Sequence, residues 1–113
     1  MPNSKVAAAR GIAKSLRPAE DSIDVSIVNA AQLIASIASA RLQVGVALEV
    51  GHEAYMRAAA LLAALSDARD NAVACHRELS QTRDVNGIDE REAGCTLKVA
   101  RHLTPVQQIS EAA

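Results

Sequence analysis

Residues 22–81 read SIDVSIVNAAQLIASIASARLQVGVALEVGHEAYMRAAALLAALSDARDNAVACHRELSQ, sixty positions without a proline, and residues 25–40 within them carry no charge. Stepping by alternating fours and threes from Ile23 meets Ile27, Ala30, Ile34, Ile37, Arg41, Val44, Leu48, Gly51, Tyr55, Ala58, Leu62, Leu65, Arg69, Ala72, His76 and Leu79. Apolar residues at that spacing form a seam along one side of a helix, here with a few polar interruptions.

The seam is weakest between Arg41 and Gly51. There Leu42, Val44, Val46, Leu48 and Val50 alternate with Gln43, Gly45, Ala47 and Glu49, which taken alone is a strand pattern. Helix is favoured, because a lone strand has no partner in this alanine-rich chain and the seam continues through Val44 and Leu48. Gly45 and Gly51 each cost about 0.8–1 kcal/mol in a helix interior relative to alanine, and glycine readily supplies the left-handed residue that ends a helix. Unbroken, sixty residues at ~1.5 Å each make a rod of about 90 Å that is stable only against other chains. Folded at the glycines, they make an antiparallel hairpin of helices of about 26 and 32 residues. Arg41, Gly51, Arg69 and His76 at seam positions disfavour a long parallel coiled coil, so the hairpin is expected, with its break near 45–51.

Outward from this stretch, residues 1–17 read as a basic N-terminal arm or short helix. Lys5, Arg10, Lys14 and Arg17 all precede the first acid, Glu20. Pro18, followed by Glu20 and Asp21, reads as the first turn of the main helix, so the hairpin occupies 18–85. Beyond Ser66 charges become frequent and the apolar stripe narrows to Leu65, Ala68, Ala72, Cys75 and Leu79. Asn86-Gly87 is a strong turn signal, and 86–113 is expected to hold a short helix, Asp89 to Leu103, and a tail. The fold class is therefore all-α, a long helical hairpin with short flanking helices assembled into an oligomeric bundle.

Composition supports assembly. Half of the 113 residues are apolar, yet Tyr55 is the one aromatic side chain, so alanine supplies packing that Phe and Trp ordinarily give. Small side chains let helices approach closely but bury little area each, and a second subunit is expected to supply the remainder. Ile27, Ile34, Ile37, Val44, Leu48, Leu62 and Leu65 are the candidate self-association residues.

Sites for chemistry are poorly supported. Glu49 and His52 have the Glu-x-x-His spacing of di-iron bundles, but the motif occurs once and further carboxylates are lacking on the preceding helix. Cys75, His76, Cys95 and His102 are zinc-ligand types at spacings that do not converge, without a C-x-x-C pair. No nucleophile elbow or phosphate loop accompanies the cysteines or serines. No enzyme activity, metal or cofactor is expected.

Three further roles remain. Lys5, Arg10, Lys14 and Arg17 are candidate nucleic-acid contacts, although the net charge of −1 and the missing stacking aromatics weigh against a protein devoted to phosphate. The charged helix after Ser66 suits a protein partner. Val25 to Leu48 is long enough to span a bilayer, as in a holin-like protein, but Asn29, Gln32, Arg41 and Gln43 favour a buried helix, so no membrane association is expected. No apolar h-region follows the N-terminal charges, although Met1 to Arg17 also has the composition of a transit peptide. A cytoplasmic protein with two reduced cysteines, or a component of a phage particle, is the expectation.

Residues 63–82, AALSDARDNAVACHRELSQT, resemble a segment of short helical proteins of bacteriophages and prophages, through Ala64, Leu65, Ala68, Arg69, His76, Leu79 and Thr82. The resemblance covers about a fifth of the chain. It implies a phage-derived or bacterial accessory protein and brings no activity or site residues with it.

Overall fold

The computed structural model describes residues 2–94, and these are helical without strands: α1 (Pro2–Val44), α2 (His52–Val85) and α3 (Glu90–Ala93). α1 and α2 run antiparallel, as the cross-helix pairs Glu20–His76 and Asp24–Arg69 require. The molecule is elongated, 67 × 33 × 16 Å. The second half of the expected segment Asp89 to Leu103, with the tail, lies outside the described residues.

The alternating seam is real and longer than the stretch that first shows it. On α1 the less exposed positions run through Val6, Ala9, Ala13, Leu16, Glu20, Ile23, Ile27, Ala30, Ile34, Ile37 and Arg41, unbroken steps of three and four. On α2 they include Ala58, Leu62, Leu65, Ala68, Ala72, His76, Leu79 and Arg83. Five expected seam residues are displaced. Val44, Leu48, Gly51 and Tyr55 are exposed at or beside the turn, and Ala68 takes the place of Arg69, whose guanidinium lies at the edge 3.4 Å from Asp24. The extra three-residue step from Leu65 to Ala68 locally shifts the apolar stripe around the helix.

The expected helix start at Pro18 is corrected: α1 passes through Pro18 without interruption and is 43 residues long. Proline inside a helix removes one backbone donor and crowds the carbonyl four residues earlier, here that of Lys14, at about 3 kcal/mol. The ring is exposed, so that carbonyl lies on the solvent side. On the other side Leu16 and Leu79 face one cleft and Glu20 meets His76, and these contacts with α2 hold both halves of α1 in line. Tertiary packing thus overrides the local signal.

The turn corrects the helix reading of residues 45–51, which are neither helix nor strand. Gly45 (φ 71°) ends α1, its N–H donating to the Arg41 carbonyl at 2.9 Å, and Gly51 (φ 76°) opens α2, its carbonyl accepting from Tyr55 N–H at 3.1 Å. The conformation is one that L side chains with a Cβ rarely adopt, which is why the glycines decide the fold. Arg41 staples the loop: one terminal guanidinium nitrogen donates to the carbonyls of Ala47 and Leu48, while its Nε is buried without a partner. Its charge also sits at the negative end of α1.

At the far end α2 stops in a Schellman arrangement. Gly87 (φ 71°) donates to Asp84 and Ile88 to Arg83, while Asn86 Nδ2 holds the Thr82 carbonyl at 2.8 Å. α3 begins on a capping box between Asp89 and Glu92, and Arg10 Nε ties it to α1 through the Glu92 carbonyl at 2.6 Å.

Two outcomes are expected in chemical denaturation. Pro18→Ala raises stability by about 1–3 kcal/mol, because the proline is held in place against its own preference. Arg41→Ala lowers it by about 1–3 kcal/mol by releasing two turn carbonyls, the unpartnered Nε offsetting part of the loss.

Candidate functional site

Among the described residues three are buried, Ala30, Ala58 and Ala93, and no large side chain is. A hairpin of this length covers one side of each helix and no more. What remains uncovered is concentrated in the half that contains the turn.

From Val25 to Val44, α1 gathers Asn29, Gln32, Ser36, Ser39 and Gln43 on an arc of roughly 80° opposite the seam and is apolar on both flanks between that arc and α2. Ile27, Ile34 and Ile37 face α2 and are half-buried, whereas Val25, Val28, Leu33 and Leu42 lie off the seam and face outward. Leu42 is 83% exposed. α2 continues the surface with Met56 and Leu61. The charges in residues 25–66 are Arg41, Glu49, Glu53 and Arg57 alone. Arg41 is engaged by the turn, and Arg57 pairs with Glu53 at 3.3 Å across one helical turn.

The seven residues named for self-association therefore divide. Ile27, Ile34, Ile37, Leu62 and Leu65 pack the hairpin itself, while Val44 (73% exposed) and Leu48 (81% exposed) stand free at the turn. The off-seam residues Val25, Val28, Leu33 and Leu61 were not singled out by periodicity. On α1 the signal is the width of the apolar surface, since Val28 and Leu33 lie on the two flanks between the seam and the polar arc.

The four residues named for nucleic-acid contact are not one surface. At about 100° per residue, Arg10, Lys14 and Arg17 fall within an arc of roughly 60°, with Lys5 at least about 120° away. Lys5 instead borders a cleft of about 240 Å³ between the start of α1, the end of α2 and α3, lined mainly by Ile12, Leu16, Leu79, Ile88 and Ala93. Arg10 is committed to the Glu92 carbonyl, and Asp21 and Asp24 continue the stripe that Arg17 ends.

The metal candidates lie apart. Glu49 is in the turn, and His52 is the first residue of α2, its ring centroid 6.3 Å from that of Tyr55. Cys75 is an exposed free thiol, and Cys95 and His102 lie outside the described residues. Among the described residues no three His, Cys, Asp or Glu side chains gather as metal ligands. His76 is in the seam, its Nδ1 2.9 Å from Glu20 Oε2, both side chains largely covered.

Comparison with protein-family models, with curated proteins and with solved structures finds no match for this chain.

A double-mutant cycle on Glu20→Gln and His76→Ala, followed by urea denaturation, is expected to give a coupling of about 0.5–1.5 kcal/mol. A coupling indistinguishable from zero identifies two seam residues that are merely adjacent.

Proposed function

We propose that the protein is a non-enzymatic helical assembly protein that works by self-association. The observation that carries this is the missing core: between α1 and α2 only Ala30 and Ala58 are buried, and valines, leucines and a methionine are left in solvent. Full burial of one such side chain contributes about 1.5–3 kcal/mol, so completing the burial of six that are roughly half-exposed contributes on the order of 6 kcal/mol. That is comparable with the ~4–15 kcal/mol that association costs, before the surrounding alanine surface is included. The likeness of residues 63–82 to phage-encoded helical proteins supports an accessory or structural role, in the cytoplasm or in a particle.

A second reading, a holin-like membrane protein, has one specific support: α1, over Ser4–Val44, is long and apolar enough to cross a membrane. α2 does not meet the same test, and its uncharged run, Ala58 to Ser66, ends at Asp67. The first reading accommodates both helices.

Light scattering of the purified chain at about 10 μM is expected to give a multiple of the 11.8 kDa chain mass. A monodisperse monomer at that concentration overturns the proposal.

A further inference from the structure

The hairpin is divided lengthwise. Residues 25–66 hold two acids and two bases, whereas residues 4–24 and 67–94 together hold ten acids and eight bases. The half with the turn is thus nearly free of charge and neutral, and the open half is densely charged.

We infer that a second copy of this chain covers the turn half, packed antiparallel, so that the two turn halves overlap and the two charged ends point away from each other. This rests on the self-association proposed above and specifies its surface and orientation. Neutrality lets identical surfaces meet without repulsion. The antiparallel overlap also keeps each chain's eighteen charges at the open end in water, where a parallel arrangement crowds both sets together.

The dimensions agree. Residues 25–44 span about 30 Å at ~1.5 Å per residue, and two helices side by side are about 20 Å across. A face of roughly 600 Å² on each partner reaches the lower bound for a stable interface, about 1,200 Å² in total. A bilayer is the poorer occupant. Inserting this half places Glu49, His52, Glu53 and Arg57 in or across hydrocarbon, while α2 has nine uncharged residues before Asp67, too few to span.

The test uses the full chain in sedimentation equilibrium, with circular dichroism to verify helicity. Val28→Glu and Leu61→Glu, both at exposed positions, are expected to weaken the dimer at least 100-fold without loss of helicity. Val73→Glu, equally exposed but in the charged half, is expected to change it less than 3-fold. Orientation is read from nitroxide labels on Cys75 in a Cys95→Ser chain. The antiparallel overlap places the two labels about 40–50 Å apart, from ~1.5 Å per residue counted outward from the middle of the overlap.

A monomeric wild type overturns the self-association proposal together with this inference. An oligomer that Val73→Glu weakens and Val28→Glu does not, or a label separation under about 25 Å, overturns the inference and leaves self-association standing. Flotation of the wild type with phosphatidylcholine–phosphatidylglycerol vesicles, abolished by Val28→Glu, overturns it in favour of lipid.

Discussion

Ala30 and Ala58 are the two positions between α1 and α2 that lose nearly all of their surface, and each carries only a methyl group. A methyl at the contact lets two helix backbones approach closely, which gives a long and regular seam. The same methyl removes little apolar area from water, so close approach is obtained without a thick core. Isoleucines and leucines flank these contacts and are only half-covered, because two helices cover one side of each other and no more. The deficit is inherent in an alanine-built hairpin, and it leads from the sequence composition to the exposed surface on which the functional proposal stands.

The turn converts that deficit into a directional one. Left-handed glycines at 45 and 51 reverse the chain, and Arg41 closes the loop by holding two of its carbonyls. Arg41 occupies a seam position as the last member of the α1 series, where an apolar residue would extend the packing. It trades a packing contact for control of the loop, and its long side chain still contributes covered methylene surface. Because the reversal falls in the middle of the apolar stretch, the uncharged halves of both helices come together at one end and the charged halves at the other.

Much of this was legible from spacing. The three-and-four stepping named the α1 seam residues from Ile23 to Arg41 correctly but also included the exposed Val44, and Gly45, Gly51 and Asn86-Gly87 marked the breaks. Pro18 misled, because a local preference worth about 3 kcal/mol is outweighed when residues on both sides pack against another helix. Arg69 misled for a different reason: periodicity assigns positions but not the rotation that puts Ala68 inward and Arg69 against Asp24. Val28 and Leu33 fall outside the three-and-four stripe, on the two flanks of the helix. A seam locates the contact within a hairpin, whereas apolar flanks beside it widen the surface beyond that contact.

The turn also explains why the hairpin keeps one register. A seam of alanines and β-branched residues repeats nearly every seven positions, so α2 sliding by one repeat finds a similar apolar surface. That slide sets His76 beside Ala13 or Ile27, but it brings Glu20 opposite Arg69 or Arg83, so the carboxylate still meets a basic partner and does not by itself exclude the slide. Asp24 and Arg69 are both about 60% exposed and add little. A slide of seven residues is a displacement of about 10 Å along the helix, and the short connection from Gly45 to Gly51 follows it only by unwinding about two turns of α1 or α2. Left-handed glycines at both ends of that connection, with Arg41 holding the carbonyls of Ala47 and Leu48 between them, therefore set the register from the turn half. The polar pair in the charged half is compatible with that register rather than its cause.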